Sequence, residues 1–380
     1  MDGWAMPFEL KRKPVRMRQT LPARDYYAPG IFDLEKERIF YQKWFCAGRQ
    51  EELPNERDHM IREVLNESIL IVRGESGMLR AFYNVCRHRG SKLCDGAGRL
   101  GSAIVCPYHG WTYSLDGRLV GTPNVGEVEG FDRSEYGLHA VALETWNGFV
   151  FVNLSANPRP LEEQLGPWRD YQRYHIERLR SGWRVVYEVA ANWKILHENY
   201  NECLHCPRVH PELVKLIPIY RRGLIAENDG SWGNRLADGV TTFSKTGHSK
   251  LPFLPDLTEH EKRSYNGMTV FPNLMLDLLP DHVMTSVLWP TGPERTRVVS
   301  EILFEPATLA RDDFDPADIV ELQDLVSRQD WVVCERAQQG LRSRAFKFGV
   351  YPPQDEFVYE FDQEYLRARG PAPADDTGAS

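Results

Sequence analysis

Four residues constrain this chain more than any others. Cys86 and His88, in CRHRG, and Cys106 and His109, in CPYHGW, are two short Cys–His pairs separated by the 17 residues from Arg89 to Val105. Each pair lies beside a glycine, Gly90 or Gly110, which lets the backbone turn tightly. Two thiols and two imidazoles presented this way form a metal-ligand set, and using them together forces two separate loops to meet at one point. Zinc accepts the same four ligands, but the zinc-finger order puts both cysteines before both histidines, with a helix carrying the latter. Here the order is Cys-His and then Cys-His, in turn-rich sequence.

That order suits a Rieske [2Fe–2S] centre, in which two thiolates hold one iron and two imidazoles the other. Neutral imidazoles raise the potential above that of an all-thiolate cluster, which makes such a centre an electron relay. The glycines allow backbone N–H groups close to the cluster sulfurs, a further lever on potential. Cys94 reads as a small residue of the intervening loop. The flanking sequence reads as a β-rich host. Ser68–Val72, Arg80–Tyr83, Ala103–Cys106 and Gly148–Asn153 are short β-type runs, with turn signals such as Asp95-Gly96 and Asp116-Gly117 between them.

A second constellation lies in NWKILHENYNECLHCPRVHPEL, residues 192–213. A helix over 195–205 puts Glu198, Glu202 and His205 on one face. His205 and His210 are five apart, about 140° round an ideal helix, so a continuous helix would not aim both at one metal. Pro207 is expected to end the helix and let His210 return from a loop. Two histidines and a carboxylate make the facial triad of non-haem Fe(II) oxygenases. The helix expected from Pro316 to about Gly340, with Asp315 as N-cap, supplies the acid. Ile319, Leu322, Val326, Asp330, Val333 and Ala337 follow the spacing of a buried stripe, so Asp330 is an acid at a core position and needs a partner or a metal. An ion pair with Arg336 is its alternative use, and Asp324 falls on another face. A zinc site from Cys203, His205, Cys206 and His210 competes for the same segment, although a lone CxxC lacks its second pair. His197 reads as structural. His59, His139, His175, His248, His260 and His282 are isolated.

Length and charge exclude other classes. A chain of 380 residues suggests about two domains. A net charge of -8 argues against wholesale nucleic-acid binding. Seven cysteines are an odd number, against a complete disulfide scaffold, and five of them are expected to be bystander thiols of a reducing compartment. The longest stretch free of Asp, Glu, Lys and Arg is Leu100 to Leu115, too short and too polar for a spanning helix. Lys11, Arg12, Lys13, Arg16 and Arg18 are followed by no apolar run, so the N-terminus reads as a solvated basic arm rather than a secretory signal. A cytoplasmic enzyme is expected. Residues 31–45 read as an amphipathic helix, and the last ten, PAPADDTGAS, as a disordered tail.

Together, in this order, the two constellations resemble the α subunit of the Rieske non-haem iron oxygenases, a ring-hydroxylating and N-demethylating family, over about residues 30–345. The resemblance implies that Cys86, His88, Cys106 and His109 hold the cluster, and that His205, His210 and Asp330 hold a mononuclear Fe(II). Glu202 matches the acid that bridges to a cluster histidine of the neighbouring subunit, although aspartate is usual there. Leu204 stands where an aromatic residue is usual, and Asn199 matches an asparagine beside the iron. The implied fold is α+β. An N-terminal helical arm (1–45) packs on the catalytic domain, and a β-sandwich Rieske domain (46–160) precedes that domain (161–370), which has a curved antiparallel sheet flanked by helices. Residues 371–380 form the tail. A head-to-tail homotrimer is implied, with O2 as co-substrate and an NAD(P)H-dependent flavin/iron-sulfur reductase or a ferredoxin as electron donor.

ENYNECLHCPRVHPEL and QDWVVCERAQQGLRSR are similar to the subgroup acting on quaternary ammonium compounds such as glycine betaine and carnitine. There an N-methyl carbon is hydroxylated and the product collapses to a demethylated amine and formaldehyde. Trp193, Tyr200, Trp232, Tyr265, Phe271 and Trp289 are the candidate aromatic cage. Hydroxylation of an aromatic ring is the alternative. A Rieske electron-transfer protein with a structural C-terminal half is the alternative from another class, and it would hold two irons per chain rather than three.

Overall fold

Short apolar runs broken by turns leave a chain one economical solution, antiparallel pairing of neighbours, and both halves of this protein adopt it. The computed structural model describes residues 17–166, 171–226 and 233–372. Lys11, Arg12, Lys13 and Arg16, Trp232 and nearly all of the expected tail fall outside the described residues. Two compact units form: Phe40–Gln164, and the residues up to Ile39 together with those from Leu165 onward.

The N-terminal segment begins with β1 (Arg18–Gln19) and α1 (Pro29–Glu35). The expected helix over 31–45 is shorter than its pattern. After α1 comes a single wide turn, Lys36–Phe40, and Phe45 already belongs to a strand. The adjacent apolar pairs are the reason: Ile39, Phe40, Trp44 and Phe45 are all buried, which one face of a straight helix cannot provide. Arg18 is not part of a solvated arm. It pairs with Glu356 at 2.8 Å and lies over the ring of Tyr359.

The unit Phe40–Gln164 contains β2 (Phe45–Arg49), β3 (Asp58–Val64), β4 (Glu67–Arg73), β5 (Leu79–Tyr83), β6 (Ala97–Arg99), β7 (Ala103–Val105), β8 (Thr112–Ser114), β9 (Leu119–Gly121), β10 (Ala140–Trp146) and β11 (Phe149–Asn153). A seven-stranded antiparallel sheet runs β2-β11-β10-β5-β4-β3-β6, and a three-stranded sheet runs β7-β8-β9. Leu70, Val72 and Phe82 of the larger sheet share one core with Ile104, Tyr113 and Leu119 of the smaller, and Cys86 and Cys106 belong to that core. The run Ile69-Leu70-Ile71-Val72 is buried on both faces, hence its unbroken apolar character. A short helix, α2 (Leu161–Leu165), follows.

The remainder is built on β12 (Arg180–Val189), then α3 (Trp193–Tyr200), α4 (Cys206–Val209) and α5 (Leu213–Leu216). Next come β13 (Asn234–Arg235), β14 (Ser264–Val270), β15 (Leu274–Leu278), β16 (Val283–Gly292) and β17 (Arg295–Phe304), followed by α6 (Pro306–Leu309), α7 (Ala317–Leu341), β18 (Val350–Tyr351) and α8 (Glu356–Arg369). The curved antiparallel sheet has the order β12-β17-β16-β15-β14-β13. Asn192 caps α3, its side chain accepting from Lys194 N, and the Asp315 carboxylate accepts from Ala317 N at the start of α7.

Buried polar links hold α3 in place. Lys194 pairs with Glu35 at 2.5 Å with both side chains fully buried, and Trp193 Nε1 and Tyr365 Oη also donate to Glu35. Arg369 pairs with Asp25 at 2.8 Å. These contacts tie α1, α3 and α8 together, which fixes the direction in which the chain leaves α3.

Candidate metal centres

The two Cys–His loops have the same backbone construction. Gly90 N donates to Cys86 O and Gly110 N to Cys106 O, each at 3.0 Å, while Cys86 N reaches Ser91 O and Cys106 N reaches Trp111 O, each at 2.8 Å. Gly90 and Gly110 adopt φ 70° and 72°, the left-handed region that closes each loop without strain. The cysteines are buried and the histidines exposed. The imidazoles of His88 and His109 lie 4.8 Å apart between centroids, and His88 stacks on Trp111 at 4.7 Å.

The electrostatics suit thiolate and neutral imidazole ligands. Burial opposes ionisation of Cys106, but hydrogen bonds from the N–H groups of Tyr108 and His109 and from the side chains of Cys86 and Ser91 together hold the thiol below its usual value. Loss of hydration and the neighbouring His88 and Arg89 lower His109, favouring the neutral ring a metal requires. These residues fit a [2Fe–2S] group held by two sulfurs inside and two nitrogens outside. Spacing did not reveal Tyr113. Its hydroxyl lies 3.2 Å from Cys86 Sγ and accepts from Arg87 N at 3.0 Å. Cys94 is a loop residue whose N–H donates to Asn84 Oδ1, with burial pushing its thiol up to about 11.

At the second constellation, ligand atoms of His205, His210 and Asp330 all lie within 4.8 Å of one another. Asp330 Oδ1 is 2.8 Å from His210 Nε2 and 3.3 Å from His205 Nε2. The other nitrogen of each ring is occupied. His205 Nδ1 is bonded to Glu202 Oε1, and His210 Nδ1 donates to Gln329 Oε1 at 2.7 Å. Both Nε2 atoms are thereby turned toward Asp330, and the set fits an octahedral Fe(II) with open positions. Burial alone would lower His205, but Asp330 and Glu202 raise it to about 9, while both histidines hold Asp330 below the usual carboxylate range. Two carboxylates on one imidazole demand positive charge at this point. Asn199 Nδ2 lies 3.5 Å from His205 Nε2.

The route to this geometry differs from the expected one. The helix stops at Tyr200, so Glu198, Glu202 and His205 share no helical face. Glu198 turns away and accepts from Tyr26 Oη at 2.7 Å. Glu202 folds back in a turn, accepting from Leu204 N as well as engaging His205. Pro207 does not end a helix; it sits in the first turn of α4, where a missing N–H costs nothing, and His210 follows at the end of that turn. On α7 the buried line runs through Ile319, Leu322, Ser327, Cys334 and Gln338 rather than Val333 and Ala337. Asp330, between Ser327 and Cys334, still faces inward.

Other expectations resolve as follows. Cys203 and Cys206 form a disulfide with Cα atoms 4.9 Å apart, so the zinc alternative fails and these two are not bystander thiols. The bond closes the loop that carries His205. Asp330 is paired with the histidines and not with Arg336, while Asp324 accepts from Tyr187 Oη and pairs with Arg328, each at 2.8 Å. His197 is structural: fully buried, it donates to Pro272 O at 2.8 Å and stacks on Phe361. Trp193, fully buried, and the half-buried Phe271 both pack against Phe361. Tyr200 and Tyr265 converge on Asp277.

Comparison with known proteins bears on both centres. The family described as Ring hydroxylating alpha subunit (catalytic domain) matches residues 176–369, and the Rieske [2Fe-2S] domain matches residues 43–132. The carnitine monooxygenase oxygenase subunit of Escherichia coli (strain K12) is 33% identical over 333 residues, 86% of each chain. The glycine betaine monooxygenase oxygenase subunit of Pseudomonas aeruginosa (strain PAO1) is 29% identical over 371 residues, covering 89% of this chain and 86% of that one. The quaternary ammonium Rieske monooxygenase CntA, solved with L-carnitine, superposes with a TM-score of 0.75 at 28% identity, over 93% of this chain and 96% of that one.

Proposed function

This chain belongs to the ring-hydroxylating α-subunit family, with a Rieske domain ahead of the catalytic domain, and from that premise we propose that it demethylates a small quaternary ammonium compound of the glycine betaine and carnitine class. The protein is an oxidoreductase that works with a Rieske [2Fe–2S] cluster and a mononuclear iron. The observation that carries the reading is the convergence of His205, His210 and Asp330 in a chain that resembles CntA along nearly its whole length.

When bound, the cluster supplies single electrons and the mononuclear iron a site for O2 activation. The residues provide the rest. Cys86 and Cys106 hold one side of the cluster in the core, and His88 and His109 present the other at the surface. Tyr113 donates toward the Cys86 sulfur. Glu202 and Gln329 each fix one imidazole so that His205 Nε2 and His210 Nε2 meet Asp330. Glu202 also links His205 to a cluster histidine of a neighbouring subunit in a head-to-tail homotrimer, and an NAD(P)H-dependent reductase or a ferredoxin delivers the electrons. The substrate, O2, two electrons and two protons give an N-hydroxymethyl ammonium and water. That product then breaks its C–N bond to release formaldehyde, a proton and the tertiary amine.

Purified enzyme with a competent reductase tests this. The expected result is one formaldehyde per O2 consumed with glycine betaine or L-carnitine. Oxygen uptake with an aromatic acid, and no formaldehyde from either ammonium compound, would overturn it.

A further inference from the structure

We propose that Asp277 is the counter-ion for the substrate's ammonium group, held in place by Tyr200 and Tyr265; the inference rests on the quaternary ammonium reading above. Asp277 stands on β15, paired with Gly267 of β14. Tyr200, reaching from α3, and Tyr265, from β14, both donate to its Oδ1 at 2.7 Å. Gly267 makes that convergence possible. A Cβ there would lie 2.5 Å from Tyr265 Oη and 2.9 Å from Tyr200 Oη. The site is thus built from three elements around one carboxylate oxygen.

The second oxygen, Oδ2, takes no hydrogen bond among the described residues, and no Lys or Arg there forms an ion pair with Asp277. The positive influence on it comes from His282, which is already bonded to Asp281 at 2.7 Å. Burial, and the charge of Asp330 nearby, keep its carboxyl above the usual range although the two tyrosines pull it down. Asp277, Tyr200 and Asp330 are all half-buried. A partly buried anion is stabilised by a cation, and among the described residues no Lys or Arg stands beside this one. A trimethylammonium has a permanent charge and no N–H to donate, so it suits an unpaired carboxylate oxygen rather than a hydrogen-bonding pocket. Asp277 lies within electrostatic reach of Asp330, one of the three residues proposed to hold the mononuclear iron.

The test compares glycine betaine and L-carnitine with 3,3-dimethylbutanoate, in which a neutral tert-butyl group replaces the trimethylammonium of glycine betaine. Binding to the resting holoenzyme is measured by calorimetry, with formaldehyde release as the second readout. Asp277→Asn is expected to weaken binding of the cationic ligands by about tenfold or more while moving 3,3-dimethylbutanoate by less than about twofold. Asp277→Glu should recover part of the preference. Tyr265→Phe keeps the charge but loosens it, giving a smaller loss in the same direction, and decides the matter if Asp277→Asn fails to fold. Equal losses for charged and neutral ligands, or none, would overturn the assignment and leave a structural carboxylate. A wild-type enzyme that demethylates neither ammonium compound would instead sink the parent reading.

Discussion

Tyr113 and Gln329 do comparable work at the two candidate centres: each aims one polar group at a residue of a proposed ligand set. A hydrogen bond on the Cys86 sulfur stabilises the reduced, more negative cluster. Tyr113→Phe is therefore expected to lower the cluster potential by roughly 40–60 mV, the one-electron equivalent of about 1–1.4 kcal/mol, in a spectroelectrochemical titration. Gln329 fixes His210 through its Nδ1–H. Gln329→Leu should weaken mononuclear iron about 10–100-fold in a chelator competition, while Gln329→Glu keeps an acceptor and loses less. Neither residue follows from ligand spacing. Tyr113 is four residues beyond His109 on the next strand, and Gln329 is visible only as the neighbour of Asp330.

At the scale of elements, α3 matters most, because the turn after it delivers Glu202 and His205. Its anchor is the buried Lys194–Glu35 pair. Lys194→Met leaves Glu35 charged and uncompensated, and is expected to cost about 3–5 kcal/mol, read as a lower melting temperature. His197, on the same helix, is pushed down to about 4 by burial against an ordinary value of 6.5. A base whose folded value is depressed contributes stability above its unfolded value and loses it as pH falls. Stability should therefore drop between about pH 6.5 and 4, by up to about 3 kcal/mol. His197→Phe should flatten that slope in melting curves at successive pH values. The helix expected through residue 205 ended at Tyr200 because Asn201 and Glu202 make better use of their side chains in a turn, Asn201 bonding back to His197 O and Glu202 to Leu204 N.

For the whole molecule, iron stoichiometry separates an oxygenase from an electron carrier. Three irons per chain are expected in the wild type. Asp330→Ala should hold about two, with the cluster spectrum unchanged and formaldehyde release lost, in paired iron and sulfide assays. A variant that kept the third iron and turned over would remove Asp330 from the proposed ligand set. The two candidate ligand sets were legible in the sequence because metal chemistry restricts both residue type and order. The strand-rich region and the long helix of Asp330 were legible because burial imposes period on a chain. Tertiary structure alone decided the rest. It joined Cys203 to Cys206, put Pro207 at the start of a turn, drew Ile39-Phe40 and Trp44-Phe45 out of one continuous helix, and gathered Tyr200, Tyr265 and Gly267 around Asp277. Those arrangements depend on distances between residues far apart in the chain, or on the balance of several side chains at a helix end, and no local pattern encodes either.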